Sequence, residues 1–315
     1  MCASRRQFLR ALGVGGVALT GLTALASVRA QEADADLRLT ELRDGLLLLT
    51  GAGCNVVARK AADGLLLIDS GAPDRAAALK RFIEAELGPA PISLLFNTHW
   101  HLDHTGGNET LASPETAIVA HENTRLWMTT KFFVDWENRR YLPRPPAAHP
   151  NKTFFSHEPQ PLEIDFAGKT VAYGHLREAH TDGDLYVRFP EANVIVAGGA
   201  VTAARYPVLD YITGGWMGGL EDVTRQLIEM SDAETLIVPE AGPPQRRADL
   251  EAQLEMVATV RERIEEMALK GHGIDEMIAA KITEDFDRRF GGDAALFIAN
   301  AYHGMWQGRL RGTVA

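Results

Sequence analysis

The sequence predicts an α/β fold in which two β-sheets lie sandwiched between helices. Two observations carry this expectation. Short apolar strands and amphipathic helices recur in both halves of the chain, and a histidine-rich motif, His99-Trp100-His101-Leu102-Asp103-His104, follows directly on a strand apolar along its whole length. No internal repeat and no low-complexity linker interrupts the pattern, so one domain is expected over residues 31–315.

The first thirty residues stand apart. Ser4-Arg5-Arg6-Gln7-Phe8-Leu9 sets a pair of arginines before apolar residues, a weakly apolar stretch runs from Leu12 to Ala26, and Val28-Arg29-Ala30 offers small residues to a signal peptidase. This is the layout of a twin-arginine export signal, with cleavage after Ala30 and a periplasmic or other extracytoplasmic destination. The alternative, a membrane anchor, meets a run too short and too weakly apolar to span comfortably. Without these residues the chain loses four arginines and no acids, so its net charge moves from −10 to −14. Such an acidic surface argues against nucleic acid or anionic membrane as a partner and leaves a small molecule. Cys54 is then the only cysteine, which rules out an internal disulfide.

Leu37–Thr50 and Asn55–Asp69 read as strands, the second folded into a hairpin at Ala62-Asp63-Gly64. Asp74–Leu87 repeats apolar residues at helical spacing. Ile92–Phe96 is a continuous apolar run, as in a strand covered on both faces, and it puts the histidine motif on the loop beyond its C-terminal end. A short strand at Ala117–Ala120 and a helix at Glu122–Met128 follow. Residues 131–160 look irregular, with prolines and the aromatics Phe132, Phe133, Trp136, Tyr141, Phe154 and Phe155. Such a segment is a lid, binding surface or subunit contact, or else an excursion held down by its own aromatics.

Further strands are expected at Leu162–Phe166, Thr170–Gly174, Asp184–Phe189, Val194–Ala197 and Thr235–Val238. Helices are expected at Leu220–Met230, Arg246–Leu269, Ile274–Lys281 and Ala294–Trp306. The longest helix has a clear apolar face: Leu250, Leu254, Val257, Ile264 and Ala268.

His99, His101, Asp103 and His104 fall within six residues. Imidazole and carboxylate are the usual zinc ligands, and residues two apart on a turning loop can converge on one ion. With this motif the chain resembles the metallo-β-lactamase superfamily, whose signature is His-x-His-x-Asp-His. Asp69-Ser70-Gly71 resembles the superfamily's strand-ending aspartate motif, and Ala179-His180-Thr181-Asp182-Gly183-Asp184 resembles the segment that supplies a third histidine. The resemblance implies a four-layer αββα sandwich with metal at the edge of the two sheets. It implies that His99, His101 and His180 bind a first zinc, and that Asp103 and His104 contribute to a second.

Two positions depart from that pattern. Gly198-Gly199 stands where the superfamily usually has Gly-Asp, so Gly199 offers no bridging carboxylate. Pro239-Glu240-Ala241-Gly242-Pro243 stands where it usually has Pro-Gly-His-Gly-Pro, so Ala241 replaces a second-site histidine. Glu240 is the substitute nearest at hand, although neighbours at a strand end face opposite ways. One tightly bound zinc is therefore expected, with a second weak or absent.

The implied activity is a zinc-dependent hydrolase acting on a carbonyl ester, thioester, lactone or lactam. The metal lowers the pKa of a water to ~7, and Asp103, if not a ligand, is the catalytic acid–base group. Loss of two usual ligands favours, as the alternative, a weakly active or non-catalytic binding protein that keeps the fold. A true β-lactamase is less expected. Among the rest, Trp100 either walls the pocket or packs. His121 is a cap or structural partner, His175 a weak candidate ligand, and His149, His157, His272 and His303 are not expected to bind metal. Cys54 reads as a small buried apolar group in preference to a metal-proximal thiol. Thr213–Gly219 is either a substrate-side loop or a close-packed approach to the helix after it. Oligomeric state is not legible in the sequence.

Overall fold

The computed structural model describes residues 36–62, 64–155 and 161–312. The twin-arginine segment, Asp63 and His157 lie outside them. Strands β1 (Arg38–Glu41), β2 (Leu46–Thr50), β3 (Val56–Ala61) and β4 (Gly64–Ile68) form an antiparallel meander. Strands β5 (Ile92–Phe96) and β6 (Ala117–His121) then join in parallel. The single strand expected over Leu37–Thr50 is in fact a hairpin. Asp44 and Gly45 both adopt positive φ, 48° and 73°, and the Asp-Gly pair that signals such a turn was present in the sequence.

Residues 131–155 carry more regular structure than their composition suggests. Strands β7 (Phe132–Val134) and β8 (Arg139–Tyr141) pair as a small hairpin, and β9 (Lys152–Phe154) adds to the first sheet beside β6. That sheet thus has seven strands in the order β1-β2-β3-β4-β5-β6-β9. The second has five, β10 (Leu162–Phe166), β11 (Lys169–His175), β12 (Leu185–Phe189), β13 (Val194–Gly198) and β14 (Leu236–Pro239), side by side in chain order. Only the pair β13–β14 is parallel.

The helices divide between the outer faces. α1 (Ala76–Leu87) covers the first sheet, where Leu79, Ile83 and Leu87 meet Leu65, Leu67 and Leu95. Two single turns, α2 (Leu102–Thr105) and α3 (Asn108–Leu111), follow, and then α4 (Glu122–Thr129), whose Thr124 hydroxyl donates to the Gly183 carbonyl at the rim. The second sheet is covered by α5 (Met217–Glu229), α6 (Arg247–Leu269), α7 (Ile274–Ala279) and α8 (Ala294–Gly312), with Leu220, Val223, Val257 and Val260 in the buried layer. Between the sheets lies a third apolar layer, where Leu66, Ile68, Phe96 and Val119 face Val171, Val187, Phe189 and Val196. Alternate residues of β4 therefore serve two cores, which is why the strand reads as an unbroken apolar run. The result is the expected αββα order. The C-terminal ends of β4, β5, β13 and β14 lead to one rim, the usual place for a ligand site in sheets of this kind. Among the described residues no helix is long and apolar enough to cross a membrane.

Candidate metal centre

The motif loop leaves β5 and is pinned before it turns into α2. Asp69, at the end of β4, takes φ 64°, a region an L-residue enters only under constraint. In that pose its carboxylate accepts from Thr98 N at 2.8 Å, from the Thr98 hydroxyl at 2.8 Å and from His104 Nδ1–H at 2.7 Å. Ser70 adds its amide and hydroxyl to the His104 carbonyl, at 2.7 and 3.0 Å. The loop passes so close that a Cβ at Gly107 would lie 2.0 Å from the Ser70 carbonyl oxygen. The strand-ending aspartate motif thus orients the loop, as the resemblance implied.

His180 arrives from the other sheet, on the turn between β11 and β12. Asp184 shapes this turn by accepting from the amides of His180 and Thr181, at 2.7 and 2.9 Å, and from the Thr181 hydroxyl at 2.6 Å. His99, His101 and His180 converge, each offering a ring nitrogen within 4.8 Å of the others. Their rings meet edge to face, with centroids 4.6–4.8 Å apart.

The hydrogen bonds decide which nitrogens are free. The Thr98 hydroxyl, already donating to Asp69, can only accept from His99 Nδ1–H at 3.1 Å. His101 Nε2–H donates to Asp210 at 3.1 Å, and His180 Nδ1–H donates to the Val208 carbonyl at 2.6 Å. What remains are three ring nitrogens, His99 Nε2, His101 Nδ1 and His180 Nε2. Two of them face each other across 3.0 Å and the third is buried without a partner. Such a facing pair is held by a shared proton or by a cation between them. A tetrahedral zinc with bonds of 2.0–2.1 Å needs its nitrogens roughly 3.3 Å apart. The donor set fits a divalent metal, and each ligand is oriented through its other nitrogen, as metal-bound histidines usually are.

Electrostatics favour the neutral ligand form for His99 and His180. Burial, reinforced by the neighbouring imidazoles, lowers His99 well below 6.5 and brings His180 to about 4. Burial also opposes charge on His101, but the hydrogen bond and charge of Asp210 outweigh it and raise that ring. For Asp103, burial is outweighed by His104 and His101, which hold its carboxyl below the usual range and keep it ionised.

Residues 49–263 match the family model of the metallo-beta-lactamase superfamily. The chain belongs to that superfamily. Among solved structures, the inverting sec-alkylsulfatase Pisa1 from Pseudomonas sp. aligns with TM-score 0.67 at 16% identity, covering 88% of this chain and 52% of the sulfatase. A double mutant of that sulfatase gives TM-score 0.67 at 16% identity over 90% of this chain and 53% of its own. A metallo-beta-lactamase from Pontibacter korlensis aligns with TM-score 0.55 at 18% identity, covering 70% of this chain and 99% of that one. The chain spans about half the length of the sulfatase it aligns with, and these likenesses show the fold. No curated protein matches by sequence.

Against the superfamily pattern, the two altered positions have structural correlates. A Cβ at Gly199 would lie 2.3 Å from His180 Cδ2, so the imidazole occupies the room a bridging aspartate would need. Ala241 turns to a small cleft bordered by Cys54, while Glu240, expected to face away, lines the same cavity as His101, Asp103 and His180. There the Glu240 carboxylate is paired with the Arg205 guanidinium. Burial raises its pKa, and Arg205 and His104 act against that rise.

His104 keeps its Nε2 buried and without a partner, with the half-exposed Asp103 carboxylate 3.8 Å away. Cys54 is buried as expected, yet not merely as an apolar group: its thiol lies beside His104 and Asp69. Trp100 packs with Met128, Val134 and Ala148, its Nε1–H donating to Thr213 at 3.0 Å. Thr213–Gly219 is the close-packed approach, because a Cβ at Gly215 would lie 2.1 Å from the His180 carbonyl oxygen. The remaining histidines serve structure. His121 caps α4 by accepting from Asn123 N at 3.3 Å, and His175 stacks on it at 3.8 Å. His149 donates to the Arg144 carbonyl at 2.8 Å, His272 lies 3.3 Å from Glu276, and His303 packs on Tyr211.

Next to the three-histidine centre opens a cavity of about 770 Å³. Trp136 and Tyr141 from the β7–β8 segment form one wall, Leu296 and Phe297 of α8 another, and Arg205 brings a cation. The described part of this segment is thus held down by its aromatics and also forms part of the cavity. Nothing in the sequence pointed to Asp210, Val208 or Arg205. They lie in the long connection after β13, where neither periodicity nor motif marks them.

Proposed function

We propose that this chain is an exported zinc-dependent hydrolase, with a tightly held zinc on His99, His101 and His180, that cleaves a carbonyl ester, thioester, lactone or lactam. One observation carries the reading. Three imidazoles each commit one nitrogen to a protein acceptor and turn the other to a common point on the wall of a cavity large enough for a small molecule.

Zinc held there supplies a Lewis acid that polarises a carbonyl and lowers the pKa of water. The chain's own residues do the rest. Asp210, Val208 and Thr98 fix the tautomers of the three histidines. With only the three-histidine site filled, Asp103, ionised and half-exposed at the cavity, accepts a proton at its carboxylate and passes it to the leaving group. Trp136 and Tyr141 exclude water from one side, and Arg205, its charge balanced by Glu240, offers its remaining N–H groups to a substrate oxygen. The twin-arginine layout supports an extracytoplasmic location, with a small-molecule substrate as the partner.

A second reading, a binding protein that keeps the fold with little turnover, is favoured by Gly199 and Ala241, which lack the usual second-site ligands. The two separate on a panel of nitrocefin, lactones, thioesters, aryl esters and a sec-alkyl sulfate, tested with zinc and with manganese. Metal-dependent cleavage of a carbonyl substrate, abolished by His180→Ala, supports the hydrolase. Binding without turnover across the panel supports the second reading.

A further inference from the structure

We infer that Cys54 is a metal ligand: its thiolate, with His104 Nε2 and the Asp103 carboxylate, forms a second divalent-cation site that takes the place of the usual one. The inference rests on the first site binding metal only in that the second ion would sit beside it.

Three independent observations lead here. His104 is 1% exposed and its Nε2 has no hydrogen-bond partner, although Nδ1–H is fully used on Asp69. A buried imidazole nitrogen left without a partner is costly unless something unseen satisfies it. The Asp103 carboxylate lies 3.8 Å from that nitrogen, too far for a hydrogen bond.

Second, Cys54 Sγ falls within a group, with a carboxylate oxygen of Asp69 and a nitrogen of His104, whose ligand atoms all lie within 4.8 Å of one another. Asp69 is the least available of the three. Its two oxygens already accept from Thr98 N, Thr98 Oγ1 and His104 Nδ1, and it orients His104 as second-layer carboxylates do. That leaves the thiol, the free His104 nitrogen and Asp103 as donors.

Third, the missing histidine has a neighbour. Ala241 and Cys54 border the same cleft, so the thiol stands beside the room that an imidazole at position 241 would fill. Asn55 holds the two segments together, its Nδ2 donating to the carbonyls of Pro239 and Gly242, both at 2.9 Å. A soft thiolate beside an imidazole and a carboxylate is a donor set that suits zinc or cobalt and not magnesium or calcium. On binding, the thiol proton leaves to solvent, because the thiolate is the ligand.

The test is a cobalt(II) titration of the metal-free, full-length mature protein, followed by absorption. The first equivalent gives visible d–d bands from the three-histidine site. A second equivalent is expected to add a near-ultraviolet thiolate-to-cobalt charge-transfer band, absent in both Cys54→Ala and Cys54→Ser while the first-equivalent bands persist. A second equivalent that binds wild type with no charge-transfer band overturns the inference, as does failure of any second equivalent to bind. If the first-equivalent bands are missing too, the proposed hydrolase reading fails instead, so the two failures are distinguishable.

Discussion

His101 Nδ1 lies 3.0 Å from His180 Nε2, each on a ring whose other nitrogen is held by a protein acceptor. The two histidines come from opposite sheets, 79 residues apart in the chain. They are held in this opposed pose by acceptors on one short stretch, the Asp210 carboxylate and the Val208 carbonyl. That stretch after β13 is therefore as much part of the centre as the signature motif is.

Asp210 sets the His101 tautomer, so Asp210→Asn is expected to weaken zinc binding by roughly 10–100-fold without unfolding the protein. Competition against a chromophoric chelator reads the change directly. An affinity within twofold of wild type would show that His101 needs no such orientation.

Asp69 is buried with three donors aimed at it. Removing it with Asp69→Ala leaves those donors unsatisfied and should cost about 3 kcal/mol in the metal-free protein, measured by urea denaturation. A loss below about 1 kcal/mol would mean that the loop is held by its other contacts.

Restoring the superfamily's aspartate does not restore its site. With a Cβ at position 199 only 2.3 Å from the His180 ring, Gly199→Asp must push His180 aside. The expected outcome is weaker zinc binding at the first site, seen by isothermal titration calorimetry. Tighter binding would show that the ring moves freely into another productive pose.

The metal-free protein should carry a pH signature of His180. Its folded pKa is about 4 against 6.5 for the free side chain. Between these values the unfolded chain binds the extra proton, so the His180 contribution to stability falls as pH drops from 6.5 toward 4. Its slope approaches about 1.4 kcal/mol per pH unit. The difference in unfolding free energy between wild type and His180→Gln isolates this contribution and should shrink with falling pH over that window. A flat or rising difference would contradict the account.

How much of this was legible beforehand follows physical lines. The sandwich could be read because β4, β5 and β13 are apolar almost throughout, as strands with both faces covered tend to be. The first-site histidines could be read because their spacing is local or lies in a motif. The β1–β2 turn was missed although Arg43-Asp44-Gly45 carries an Asp-Gly pair, because apolar residues on both sides blend into one run. Asp210 was beyond reach for a different reason: it is an ordinary residue in sequence and acquires a role only when distant segments meet at the rim. Cys54 reads as a metal-proximal thiol only in second place, because its neighbours His104 and Asp69 meet it only in the fold. Glu240 faced the cavity against expectation because it has left the strand by that point, so strand alternation no longer governs its direction.

The central claim is that His99, His101 and His180 hold zinc. Metal analysis of zinc-loaded, dialysed protein tests it most directly, made in the Cys54→Ala background so that the second site does not contribute. About one zinc per chain is predicted, falling to near zero when His180→Ala is added. Zinc-loaded protein that retains no metal with all three histidines intact would contradict it.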